Sequence, residues 1–575
     1  MIRRILLLVC LVSTATADNP DVQALINQLK TGTPQQQVAA ADQLARLGRA
    51  ASPAVPALLD AMTGQSPWVD VAMMDALAEL RAVSLPVLLE QFQKGDLDRR
   101  SRAGRALWNI GGRAPQMRPT IEKLTKDKEE AIRELAGNIL KKMDAEIAEE
   151  KAAAQQTPRK ASPSSTTPAA AVPSQTSRDW PGFRGPRRDG LCAETGLLKE
   201  WPADGPKLLW QLDTLGRGHS SLAIAGGKLF TTGDRGQRQF VVALDLATRV
   251  ELWATPIADA YGEYGAISTP TLDGDALYVL GTDGDLFCLQ TADGQVRWRK
   301  SLTKDFDGRM MNVWKYSESP LLDGNKVICT PGGKDAMMVA LDKKTGDLIW
   351  KCAIPALGER GNDGASYASA IIAECGGMRQ YVQVVGRGII GVAADTGWFL
   401  WGWNRLANNI ASITSPVARG DLVFTANSYN TGSALLRPAR DGEAWRVEEL
   451  AVLPARTFEN HHGGLVLVGD CVYGGSGLNK GDPTCIEFAT GKVLWKTKAP
   501  APGSACVLYA DGHIIFRYDR GLMLLAEASP AAFRVKGRFT PPRTNSPAWA
   551  YPVIHDGKLY VRDQDLLLCY DVRAR

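Results

Sequence analysis

Lys343-Lys344-Thr345-Gly346-Asp347-Leu348-Ile349-Trp350 is the stretch that decides the fold of this chain. An apolar run, Met338-Val339-Ala340-Leu341, and then Asp342 stand before it. Apolar run, Thr-Gly turn and second apolar run spell a strand, a tight turn and another strand. The text recurs. Ala243-Leu244-Asp245 leads to Trp253, Cys288-Leu289-Gln290 to Trp298, Ala393-Ala394-Asp395-Thr396-Gly397 to Trp401, and Ile486-Glu487-Phe488-Ala489-Thr490-Gly491 to Trp495. Successive Trp residues stand 45, 52, 51 and 94 positions apart, the last being two steps of 47. Such a repeat, built only of short strands, marks the blades of a β-propeller.

Eight inner-strand texts can be counted: Ser221 to Phe230, Thr269 to Tyr278, Ser319 to Ile328, Ser369 to Tyr381, Ser415 to Phe424, Gly464 to Tyr473, Cys506 to Phe516 and Tyr551 to Tyr560. The last blade ends at Cys569-Tyr570-Asp571 with no Trp arm, and Lys207-Leu208-Leu209-Trp210 stands unused before the first. A ring closed by that N-terminal strand buries two sheet edges that would otherwise lie open. The docking residues are then Trp210, Trp253, Trp298, Trp350, Trp401 and Trp495. Blades five and seven lack the arm and carry Ala444-Trp445-Arg446-Val447 and Ala532-Phe533-Arg534-Val535, whose aromatic is expected to take the place of the docking Trp. Cys288, Cys485 and Cys569 share one repeat position and read as buried packing residues, since a thiol packs as a small hydrophobe.

Upstream the period turns helical. Leu44/Leu47, Leu77/Leu80, Leu107/Ile110 and Leu140/Met143 repeat at steps of 33, 30 and 33, with Val22/Leu25, Val55/Leu58, Leu85/Leu88 and Ile121/Leu124 between them. Pairs three apart share a helix face, Gly48 and Gly111-Gly112 stop helices, and Pro53, Pro86 and Pro119 are expected to start the next. Eight helices in four stacked pairs follow for residues 18–145, resembling a HEAT-type α-solenoid; such arrays imply a protein partner. Residues 146–178 hold the Pro-, Ala-, Ser- and Thr-rich run and read as a disordered tether to the propeller at 179–575. Met1-Ile2-Arg3-Arg4, the apolar Ile5 to Val12 and Ala15-Thr16-Ala17 read as a signal peptide over 1–17, giving an exported, periplasmic or extracellular protein. No segment is long and apolar enough to span a bilayer. A net charge of +5 with 22% charged residues gives no basic field for nucleic acid.

The arms resemble the tryptophan-docking motif of pyrroloquinoline-quinone (PQQ)-type propellers. That superfamily contains quinoprotein alcohol dehydrogenases and also cofactor-free members such as the outer-membrane assembly factor BamB. The resemblance implies, for the enzymes, a quinone over the axis beside a disulfide between adjacent cysteines, a calcium ion and an Asp base. This chain has no Cys-Cys pair and no loop matching the calcium and base residues. The reading is therefore of no cofactor, no metal and no catalytic residue. The protein is expected to be a scaffold or binding protein, with a quinone- or carbohydrate-binding enzyme or sensor as the alternative. Ligand-binding candidates come from loops that enter the inner strands and converge on the channel mouth: His219, Tyr316, Tyr367, Asn409, Glu459, His461, His462 and Trp549. His461 and His462 are expected on opposite faces, as neighbours on a strand are, which leaves Glu459 and His461 as the pair able to share an ion.

Overall fold

The computed structural model describes residues 21–155, 179–262, 264–542 and 547–574. The expected signal peptide and residues 156–178 of the expected tether lie outside them. The chain divides at Gln155 into two compact units.

The first unit has eight α-helices: α1 (Val22–Thr31), α2 (Pro34–Leu47), α3 (Val55–Asp60), α4 (Pro67–Glu79), α5 (Arg81–Lys94), α6 (Leu97–Ile110), α7 (Arg118–Leu124) and α8 (Glu130–Gln155). Their ends are written locally. Thr33 accepts from the Gln36 N–H while the Gln36 side chain accepts from the Thr33 N–H, so two orphan donors of α2 are satisfied. Gly48 and Gly111 follow α2 and α6 at φ +56°, a region open to glycine. α2, α4, α6 and α8 pack in succession, as do α1, α3 and α5. Their shared core includes Leu29, Leu44, Leu58, Leu77, Leu88, Leu107 and Ile121, each worth roughly 1.5–3 kcal/mol when fully buried. Two expectations are corrected. Pro86 lies inside α5, which starts five residues earlier at Arg81. α8 runs on to Gln155, past the boundary expected at 145, because Ala, Glu, Lys and Gln are all strong helix formers.

The second unit is a propeller of eight sheets. Blades 1 to 7 are contiguous at 223–259, 271–301, 321–352, 371–403, 417–453, 465–496 and 505–539. Blade 8 joins Val553–His555, Lys558–Asp563 and Leu566–Asp571 to Lys207–Leu212, which pairs antiparallel with the last of these and sets Trp210 opposite Cys569. The ring is thus closed by a strand from ahead of blade 1. Each Trp stands beside a bulge in its fourth strand, facing a small residue of the third: Ala243, Cys288, Ala340, Gly391, Cys485 or Cys569. All nine described cysteines are buried and free of disulfides.

The indoles reach the next blade. Trp253 donates to the Thr291 carbonyl at 3.2 Å, Trp298 to Lys343 at 3.0 Å and Trp495 to Ser529 at 2.9 Å. A Cβ placed on Gly294, Gly346 or Gly397 would stand 2.5–2.8 Å from the Trp of the preceding blade, so these turns need Gly for the close approach as well as for their positive φ. Trp401 differs: it packs with Val423 and Leu436 of blade 5, but its N–H goes to Gln380 of its own blade.

Blades 5 and 7 correct the sequence reading. Their bulges put Ala451 and Gly537, not Trp445 and Phe533, in the docking register. Trp445 lies at the far end of a longer hairpin, against Gly376 of blade 4. Phe533 precedes its strand and meets Trp495 at 5.5 Å and Phe516 at 6.1 Å. In blade 7 the missing indole is supplied by the lead-in segment. The Trp201 Cβ lies 2.5 Å from where a Cβ on Gly537 would stand, and the Trp201 backbone N–H donates to the Lys536 carbonyl at 2.8 Å.

Candidate functional site

The Ser and Thr residues ahead of the inner strands form a belt around the axis. The backbone N–H of Ser221 donates to the Thr269 hydroxyl at 2.9 Å, Thr269 to Ser319, Ser319 to Ser369 and Ser369 to Ser415, each at 3.0 Å. The belt then breaks: blades 6, 7 and 8 place Gly464, Cys506 and Tyr551 at this register. The Ser221 hydroxyl links blade 1 back to blade 8 by donating to the Tyr551 carbonyl at 2.9 Å.

One end of the central channel is closed by the lead-in segment. It bridges blade 1 through Trp180 and Ile224, crosses the axis, and joins blade 7 as the parallel strand Leu191–Cys192. On the way Arg184, 2% exposed, donates to the carbonyls of Leu465 and Asp189. Arg188 donates to Ala370, Pro320 and Ser319 at 3.0, 2.9 and 2.7 Å. Phe183 meets Tyr551 edge-on at 5.2 Å. These contacts tie blades 3, 4, 6 and 8 to one loop. Glu318 is buried in blade 3, accepting from the Thr330 N–H at 2.8 Å, the Thr330 hydroxyl at 3.1 Å and Gln383 at 3.0 Å. Burial pushes its carboxyl up to about 7 and the Arg188 guanidinium down to about 10. Across the ring, buried Arg562 bolts blade 8 to blade 1 by donating to the carbonyls of Gly216, Ser220, Thr232 and Gln564 and to the Thr231 hydroxyl.

The mouth end holds an aromatic stack. Trp549 lies against His462 at 4.1 Å and 9° and against His219 at 4.7 Å and 39°, joining blades 6, 8 and 1. His461 sits 3.8 Å from His462, its Nδ1 2.9 Å from the Ser504 hydroxyl and its Nε2 3.0 Å from the Tyr429 hydroxyl. The two histidines are not on opposite faces of a strand: residues 461–463 form a bend, which turns both rings to one side. Burial lowers all three imidazoles, His462 to about 3, so they are neutral near pH 7.

The structure gathers His219, His461, His462 and Trp549 and separates the other candidates. Glu459 accepts from the backbone of Asn430 at 3.0 Å and Leu478 at 3.1 Å, which makes it a loop clamp. Tyr316 donates to the Pro331 carbonyl at 2.7 Å. Asn409 is exposed, and its carbonyl accepts from Asn312. Tyr367 meets Trp314 edge-on at 5.8 Å. Sequence reasoning missed Arg184, Arg188, Glu318 and Arg562; the available signal was three arginines within Phe183-Arg184-Gly185-Pro186-Arg187-Arg188, and an acid directly before Ser319. The mouth does not fit the quinone that the family resemblance brings to mind. A flat ring over the axis needs an open slot and, in the enzymes, a disulfide between adjacent cysteines, whereas here the His219–Trp549–His462 stack takes up the side of the mouth at blades 6, 8 and 1 and no two described cysteines are adjacent.

Comparison with known proteins agrees with the propeller. Residues 237–497, blades 1 to 6, match the model of a family described as outer membrane protein assembly factor BamB. Among solved structures, BamB from Moraxella catarrhalis is 14% identical over 64% of this chain and 99% of its own, with a TM-score of 0.44. Quinohemoprotein alcohol dehydrogenase from Comamonas testosteroni is 12% identical over 69% of this chain and 81% of its own, at 0.50. The computationally designed Ika8 protein is 13% identical over 64% and 100%, at 0.42. No curated protein matches the sequence. At 12% identity the dehydrogenase likeness shows the fold alone. The class is an eight-bladed propeller, carried on a chain with a helical N-terminal unit, whose residues 237–497 are similar to the family described as outer membrane protein assembly factor BamB.

Proposed function

We propose that this is an exported, non-catalytic interaction scaffold. The helical unit serves as a HEAT-like array for one protein partner, and the propeller serves a second partner or ligand. The observation that carries this reading is the filled axis: Arg184, Arg188 and Phe183 occupy one end, and at the other the His219–Trp549–His462 stack packs the loops of blades 6, 8 and 1 together. A reaction needs a cleft that admits substrate to activated groups, and the mouth histidines are neutral and packed. Further support comes from the assembly role named in the matched family's description and from the leader-like first 17 residues. No helix among the described residues is long and apolar enough to cross a membrane. Capture of partners by the full chain, and by a chain lacking residues 21–155, tests the reading; two different partner sets are expected, and identical or empty sets contradict it.

A second reading has one observation in its favour. His219 Nε2 and Trp549 Nε1 are buried in the stack without a hydrogen-bond partner. Such groups invite a small polar guest, a carbohydrate included. Calorimetric titration with mono- and disaccharides tests it, and saturable heat lost in Trp549→Phe would favour it.

A further inference from the structure

Blade 7 carries a feature that the axis does not explain. Gly537 stands where blades 1 to 4 have a docking Trp, and Trp201, reaching in from the lead-in segment, fills only part of the space. A groove of about 560 Å³ remains, lined by Trp201, Leu524, Phe533, Val535, Lys498 and Arg538. That volume lies in the range of roughly 300–1,000 Å³ typical of ligand pockets. Its floor and walls are apolar, and Val535 is 47% exposed. The two cations on its rim differ from their neighbours. Lys536 is held by Glu200 at 3.0 Å and Glu527 at 3.3 Å, and Arg534 by Glu527 at 2.8 Å, whereas Lys498 and Arg538 are exposed and form no ion pair among the described residues. The groove also runs along Val535–Phe539, the outer strand of its sheet, where Trp201 already adds one backbone hydrogen bond. An outer strand is a template for an extended segment.

We propose that this groove docks an extended acidic peptide segment of a partner protein. One large apolar side chain enters between Trp201 and Phe533, and flanking carboxylates meet Lys498 and Arg538. The inference rests on reading the propeller as an interaction module and names the chemistry of one partner. The chain's own residues 156–178 are the wrong occupant, because they carry Arg159, Lys160 and Arg178 and no acid. Free cations beside an apolar slot select opposite charge and repel like charge, and the attraction between exposed groups is screened by salt.

The test uses the full chain and fluorescein-labelled ten-residue peptides: one with a central Phe flanked by Asp and Glu, one with those acids replaced by Lys, and one with the Phe replaced by Ala. Saturable anisotropy is expected for the first peptide alone. The double variant Lys498→Glu/Arg538→Glu changes only exposed side chains and should weaken it at least tenfold. Raising salt from about 50 to 300 mM should weaken wild-type binding severalfold. Equal binding of the Lys-flanked peptide, undiminished binding to the double variant, or no saturation would each overturn the proposal. So would wild-type sedimentation with phosphatidylglycerol vesicles in the absence of peptide binding, which would make the occupant a lipid surface. No peptide binding while partner capture persists overturns the groove alone; an empty capture overturns the wider reading instead.

Discussion

The two halves of the ring solve the same packing problem differently. In blades 1 to 4 the solution is periodic. Trp253, Trp298 and Trp350 each close on a turn glycine of the next blade, and Ser and Thr hydroxyls link blade to blade at the axis. In blades 5 to 8 the periodicity is broken, although Trp495 and Trp210 keep the docking register in blades 6 and 8. Ala451 and Gly537 hold the docking register, and Gly464, Cys506 and Tyr551 replace the hydroxyls. There the lead-in segment supplies Trp201 to blade 7, Arg184 to blade 6 and a fourth strand to blade 8. A residue that packs between two blades need not come from either blade, even where, as in blade 7, it leaves a groove beside it.

If that equivalence holds, Trp201→Ala and Trp350→Ala should cost alike, on the order of 3–5 kcal/mol each. Urea unfolding measures both, and a shift for Trp201→Ala far smaller than for Trp350→Ala would break the comparison. The halves should also differ in their response to pH. Glu318 titrates at about 7 in the folded chain against an ordinary 4.5. The unfolded chain then holds fewer protons between those values, so stability falls as pH rises through that window, by about 3 kcal/mol. Glu318→Gln should flatten this loss. His462, at about 3 against an ordinary 6.5, works in the opposite sense: stability falls as pH drops below 6.5 toward 3, and His462→Gln should reduce the loss. Urea midpoints from about pH 4 to 8 would resolve the two limbs. The smallest effect belongs to the belt. Ser319→Ala removes the acceptor of the Thr269 N–H and should cost about 1–2 kcal/mol by the same assay.

What was legible follows the same division. The Thr-Gly-to-Trp and inner-strand texts are local, so together they display the blades, their number and the closing strand that carries Trp210. Trp445 and Phe533 misled because similar letters stood in for register, and register depends on bulges that only the paired strands reveal. The histidine stack was half legible: the sequence places His219, His461 and His462 in segments ahead of the inner strands, but the bend at 461–463 and its junction with Trp549 are tertiary. The plug was illegible because Arg184 and Arg188 donate to backbone carbonyls of distant blades, and any residue offers a carbonyl.

The filled axis is tested most directly by mixing the purified full chain with pyrroloquinoline quinone and calcium and following bound chromophore through gel filtration. With Arg184 and Arg188 at one end and the His219–Trp549–His462 stack at the other, the chromophore should elute free of protein. Co-elution at one quinone per chain, with the absorbance of a bound cofactor, would contradict the account.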